Sequence, residues 1–96
     1  MLRFSSALNV EPFAKGRVEI VEFRVKEDSP LIGLSLMELP RRFRQCRILV
    51  CVVIRNGEAI IPKGDFTIAQ GDRLSVVAAP QDINAFFRST GSMHRR

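Results

Sequence analysis

Residues 48–54 read ILVCVVI, and Arg55-Asn56-Gly57 follows at once. Seven consecutive apolar residues are strand-length rather than helix-length. With both alternating sets apolar, such a strand needs cover on both faces. Asn-Gly is the strongest short hairpin signal, because a type I′ turn needs positive φ at both central positions. The return strand is expected over Ala59 to Ile61, closed by Pro62. Downstream, Lys63-Gly64-Asp65 and Gln70-Gly71-Asp72 are turns bracketing a short extended piece, Phe66 to Ala69. Leu74 to Ala79 is the last long strand. Pro80 and Asp82 then open a helix whose Ile83, Phe86 and Phe87 recur at i, i+3 and i+4 as one apolar stripe.

Upstream, Val18 to Val25 is the first strand. Val18 and Ile20 share one face, and Val21, Phe23 and Val25 share the other, which predicts a bulge or a strand with apolar contacts on both sides. Asp28-Ser29-Pro30 stops it. Ser35 with Glu38 fits a capping box opening a short helix, with Leu36, Met37 and Leu39 expected inward. Pro40 ends or kinks that helix, and a further turn is possible over Arg41 to Arg44. Met1 to Gly16 carry no clean period and are expected to be an arm or linker. Gly91 is a plausible helix stop, and 91–96 are expected to be a fraying tail. The domain proper is thus expected over 17–90. It is an α+β fold with the order β-α-β-β-β-α: a mostly antiparallel sheet of about four strands with helices on one face. Helices on one side leave a strand like 48–54 half uncovered, which predicts a partner, by default a symmetric homodimer. Ile48, Val50, Val52 and Ile54, taken as alternating on one face, are the candidate interface.

The chain has 96 residues, enough for one domain, with 46% hydrophobic and 26% charged residues, an ordinary globular composition. No stretch approaches the roughly 20 apolar residues that span a bilayer, and the first residues lack the apolar core of a signal peptide. The formal charge of +5 admits acidic partners but says nothing of fold. With 7 Phe and no Trp or Tyr, aromatic anchors for a partner are limited to Phe. Cys46 and Cys51 are too few for a disulfide scaffold or a metal site and are expected to be reduced packing residues.

Catalytic sets are missing from the pattern. His94 is the one histidine, and nothing near it suggests a base or an orienting partner. Asp65 and Asp72 each follow a glycine; paired carboxylates could hold a cation or move protons, but Gly-Asp is ordinary turn chemistry. Glycines 57, 64 and 71 stand seven apart without a phosphate-loop signature. The one charge cluster is RRFRQCR at 41–47. Its arginines are either a solvated connector or a seat for phosphates, for which guanidinium forks are well shaped. No enzyme activity, metal or resident cofactor is expected. A nucleic-acid module using this connector is the reading from another class, and it predicts steeply salt-dependent affinity.

Several motifs occur together in a fixed order: Ser29-Pro30-Leu31-Ile32-Gly33-Leu34-Ser35-Leu36, Arg55-Asn56-Gly57, Ile60-Ile61-Pro62 and Gly71-Asp72-Arg73-Leu74. Over Val18 to Phe87 the chain resembles the TrkA-C (RCK-C) domain family, found in regulatory subunits of Trk/Ktr potassium uptake systems. The resemblance implies a cytoplasmic, dimerising regulatory domain. It would follow a Rossmann-type RCK-N domain in the parent chain and act at the inner membrane face on a potassium-translocating subunit of the TrkH/KtrB type, without nucleic acid. The module also occurs in antiporters, anion transporters and transcription regulators. Some members bind cyclic di-AMP at the dimer interface through a stretch corresponding to Arg41 to Leu49, so Arg42, Arg44, Arg47, Ile48 and Leu49 are the candidate ligand residues. Here Pro40 and the arginine-rich run replace the family's usual pattern.

Overall fold

The computed structural model describes residues 7–90. Five strands form one antiparallel sheet: β1 (Ala7–Phe13), β2 (Val18–Arg24), β3 (Leu49–Arg55), β4 (Glu58–Ile60) and β5 (Arg73–Ala78), in the order β1-β2-β5-β3-β4. Between β2 and β3 lie a 3-10 turn, Leu36–Glu38, and a one-turn helix α1, Leu39–Arg42; α2, Pro80–Thr90, follows β5. The predicted α+β order is present, and one further strand precedes it.

That strand, β1, comes from the stretch expected to be an arm. It pairs with β2 from Ala7↔Phe23 to Phe13↔Val18, with one irregularity between Ala7 and Asn9. Its polar residues and Pro12 hide the alternation that marks a strand. The connection to β2 is a tight bend in which Ala14, Lys15 and Gly16 all have positive φ (53°, 59° and 83°). Only the glycine advertises such a bend in the sequence.

Core placement follows residue chemistry. On β2, Val21 and Phe23 are buried with Val25 just beyond, while Val18 and Ile20 lie half-buried on the other face. The β2–β5 ladder is unbroken from Glu19↔Ala78 to Arg24↔Arg73, so β2 is two-faced rather than bulged. Leu74, Val76 and Ala78 of β5 and Val53 of β3 complete the core face of the sheet. The stripe of α2 sits on it. Phe87 and Phe86 meet Phe23 edge-on at 4.9 and 6.0 Å, and Phe43, just past α1, meets Phe86 at 5.6 Å. Both helical pieces therefore cover one face of the sheet. The hairpin after β3 has the predicted turn, with φ of 53° at Asn56 and 80° at Gly57. Gly91 and His94 lie outside the described residues.

The bulge is in β3. Leu49↔Val77 and Val50↔Val76 are followed by Val52↔Ser75 and Val53↔Leu74, so Cys51 is the extra residue. Val50 shares the face of buried Val76, and Ile48 also packs against the core. Val52 shares the face of Ser75, and Ile54 that of Arg73. The expectation that Ile48, Val50, Val52 and Ile54 lie on one face is therefore corrected. An inserted residue reverses the phase, sending the first two inward and the last two outward.

Candidate functional site: an apolar cleft beside an arginine groove

The cleft is built by the short helical segment, the start of β3 and the loop after β4. Ser35 and Glu38 form the predicted capping box. The Ser35 backbone N–H donates to Glu38 Oε1 at 2.7 Å, and the Ser35 hydroxyl donates to the same oxygen at 3.1 Å. These bonds, the backbone one foremost, hold the Glu38 carboxyl below its ordinary range. Pro40 falls in the first turn of α1, where no N–H is required, so it continues the segment instead of ending it. Leu36 N–H donates to Phe66 O (3.1 Å) and Met37 N–H to Gly64 O (3.0 Å), fastening the turn to the loop.

Between these walls is an open cleft of about 240 Å³. Leu36, Met37, Leu39 and Pro40 line one side and Ile48, Leu49 and Val50 the other, with Pro62, Lys63 and Gly64 along the edge. Of the inward-expected residues of the helical segment, Leu39 is buried and Leu36 packs against the core, but Met37 is 54% exposed. Its side chain lies over Gly64 instead of entering the core. Leu49 is 64% exposed and belongs at once to the cleft and to the helix-free face of the sheet.

The candidate ligand residues do not converge. Ile48 and Leu49 line the cleft, whereas Arg42 and Arg44 line a separate groove of about 340 Å³ with Arg41, Phe43 and Ser89. Arg47 is exposed and lines neither. At the base of the arginine groove Cys46 is buried. Burial first, with Asp82 adding to it, raises its thiol above the ordinary range against the opposing Ser89 hydrogen bond and Arg88. Such a thiol is a packing group rather than a nucleophile. Cys51 is half-buried at the bulge, and neither cysteine is in a disulfide.

Asp72 and Asp65 do not act as a pair. Asp72 is only 1% exposed, and both its oxygens are taken. Arg55 Nε donates to Oδ1 at 2.8 Å, Arg55 Nη2 to Oδ2 at 2.7 Å, and Ala69 N–H to Oδ2 at 2.9 Å. Burial pushes this carboxyl up; the Arg55 hydrogen bonds, the Ala69 amide and the charge of Arg55 outweigh it and leave the group below its ordinary range. Arg55 also donates to Thr67 O at 2.9 Å and lies 4.6 Å over the Phe66 ring. The pair is a clamp between hairpin and loop. Among the described residues no cluster of three or more His, Cys, Asp or Glu could hold a metal, and no helix is long and apolar enough to cross a membrane.

Sequence reasoning missed Lys63, the single charged residue of the cleft. A lysine beside Pro62 in a turn carries no signal of its own.

The fold and site define a small open-faced α+β module with an apolar cleft at the edge of an uncovered sheet face. Residues 20–91 match the model of the TrkA-C domain, and the chain belongs to that family. It is 33% identical over 94 residues to Trk system potassium uptake protein TrkA homolog 2 of Methanosarcina mazei, covering 95% of this chain and 20% of that protein. It is 30% identical over 95 residues to the TrkA protein of Halomonas elongata, covering 99% of this chain and 21% of that one. The chain thus spans about a fifth of these relatives. Among solved structures, the GsuK RCK domain superposes with a TM-score of 0.73 at 16% identity, over 98% of this chain and 20% of that one, a likeness of fold. The RCK_C domain dimer of S. agalactiae BusR in complex with c-di-AMP superposes with a TM-score of 0.62 at 25% identity, over 73% of this chain and 92% of that one. The KtrA RCK C domain in complex with cyclic diadenosine monophosphate gives 0.60 at 26%, over 73% and 80%.

Proposed function

We propose that this chain is the ligand-sensing and dimerising domain of a regulatory subunit of a Trk-type potassium uptake system. Membership of the TrkA-C family, among relatives named as Trk potassium uptake proteins, is the observation that carries the reading. In the parent protein it would follow a Rossmann-type domain and act from the cytoplasmic side on a membrane potassium-translocating subunit. Its work is regulation rather than turnover.

The geometry supports a dimer with a ligand at its edge. Ile20, Val77 and Leu49 form one row across the helix-free face, with Val52 and Ile54 in the next rows. A second copy is the natural cover for that surface. Because Leu49 belongs to both surfaces, a dimer seated there abuts the cleft. A cyclic dinucleotide of the kind bound by the solved relatives is the proposed ligand. Its binding would favour one dimer geometry over another, and the attached domains would pass that bias to the translocator.

The test is light scattering and thermal melting of the 96-residue chain. A dimer at micromolar concentration and a melting point that rises with cyclic di-AMP are expected. A monomer whose melting is unmoved by the dinucleotide overturns the reading.

A further inference from the structure

We infer that the arginine groove is an electrostatic seat for an anionic lipid surface. The choice of occupant rests on the reading above, in which the domain works on the cytoplasmic side of a membrane transport system. In sequence RRFRQCR is a dense run of charge with no face assigned to it. The structure assigns one. Phe43 and Cys46 turn inward: the Phe43 ring meets Phe86 edge-on at 5.6 Å, and Cys46 is buried. Phe43 N–H donates to Leu39 O at 2.8 Å, and Cys46 N–H to Phe43 O at 3.0 Å. With the connector pinned in this way, Arg41, Arg42 and Arg44 are left exposed around one groove of about 340 Å³.

Their charge is not balanced by the fold. Arg44 Nε donates to Arg41 O at 3.4 Å, a bond within the connector itself. None of the three guanidinium groups is in an ion pair among the described residues. Arg47 is exposed farther along the connector, and Arg88 of α2 is exposed next to Ser89 of the groove wall. Two acids are near. Glu38 is held low by its Ser35 bonds first and by Arg41 and Arg42 after them, and Asp82 adds to burial in raising the Cys46 thiol. They leave an excess of positive charge on this side of the domain.

The form of the patch selects among anions. Single-stranded nucleic acid needs aromatic faces on which bases stack. Phe43 is half-buried against Phe86, and the chain has no Trp or Tyr. A duplex is read by a helix or ribbon long enough to enter a groove, and α1 is a single turn. Exposed arginines suit the phosphates of an anionic leaflet, where each contributes through its charge. No exposed apolar side chain lines the groove, so nothing there inserts into the acyl layer. Such contact fades within a Debye length and therefore orients a domain already held near the membrane. The groove is on the helix-covered side, so a second copy seated on the open face leaves it accessible.

The experiment is co-sedimentation of the 96-residue chain with vesicles of equal parts phosphatidylcholine and phosphatidylglycerol, and with phosphatidylcholine alone, at low and high salt. Binding to the anionic vesicles only, lost at high salt, is expected. Arg41→Gln/Arg42→Gln/Arg44→Gln should weaken it about tenfold or more with the melting point unchanged. Arg17→Gln/Arg24→Gln/Lys26→Gln, the same loss of charge elsewhere on the surface, should weaken it far less. Inorganic phosphate should compete no better than chloride at equal ionic strength. Equal losses in the two triple variants, selective displacement by phosphate, or tighter binding to an oligonucleotide than to the anionic vesicles each overturn the inference. If the parent chain ignores anionic vesicles yet dimerises and responds to cyclic di-AMP, the inference falls and the regulatory reading stands.

Discussion

Arg55 and Asp72 show how much one side-chain pair can organise in a small domain. The carboxylate is buried and doubly bonded by a guanidinium whose own side chain is 35% exposed, so water reaches the cation but not the anion. Removing the cation is the worse injury. Arg55→Ala strands a buried charge and is expected to cost about 2–4 kcal/mol, more than Asp72→Asn, which keeps shape and removes the charge. Urea midpoints of the two variants and of the double mutant measure the difference and the coupling. The pair also sets an acid limit. The Asp72 carboxyl is below its ordinary range when folded, so the unfolded chain binds the proton more readily. The stabilisation is complete above about pH 4, the unfolded value, and is lost as pH falls through the depressed folded value. Stability measured against pH should decline in acid for the parent chain and less steeply for Asp72→Asn. The sequence showed both residues inside recognisable motifs but not their partnership, because nothing local pairs position 55 with position 72.

At the scale of elements, β3 was the most legible piece of the chain and also the most misleading. Its seven apolar residues announce a strand, and Asn56-Gly57 announces the hairpin, and both are present. A uniform apolar run carries no phase, however, so a bulge inside it leaves no trace in the residue types. An alternating strand betrays a bulge by breaking pattern; ILVCVVI has no pattern to break. The structure predicts the effect of deleting Cys51. Keeping Val53 opposite Leu74 would then set Val52, Val50 and Leu49 opposite Ser75, Val76 and Val77 in an unbroken ladder, with Val50 still inward and Leu49 still outward. With the core face kept, stability should change by less than about 1 kcal/mol, read as a nearly unmoved urea midpoint. The converse holds for α2, whose i, i+3, i+4 stripe fixes its phase without ambiguity. Ile83, Phe86 and Phe87 are all fully buried, as their spacing implies. β1 was invisible because its register is imposed by β2 and by a bend with two non-glycine residues at positive φ, not by its own alternation.

For the whole molecule, the helices cover one face of the sheet and leave the other open, with the apolar row Ile20, Val77 and Leu49 beside the Glu22–Arg73 ion pair. That imbalance was readable in the sequence as an excess of apolar residues, but the surface it falls on was not. Leu49 is the informative position. At 64% exposure its loss barely affects the isolated fold. If the dimer proposed above forms, Leu49→Asp is expected to change monomer stability by less than about 0.5 kcal/mol while shifting that dimer to monomer, visible by light scattering as a halved mass. Ile61, beside Pro62, is a second strongly exposed large apolar residue, at 77%.

The loop that pairs with the helical segment ties down a cleft wall made largely of irregular chain. Thr67 bridges Ser35, the residue that caps the 3-10 turn, and Thr67 O is held by Arg55 at the end of β3. The wall of the cleft is thereby tied by hydrogen bonds to the end of β3 in the central sheet. A ligand that steadies the wall steadies the hairpin with it. The tip at Asn56-Gly57, which lines no part of the cleft, would then report by slowed hydrogen exchange what the cleft holds.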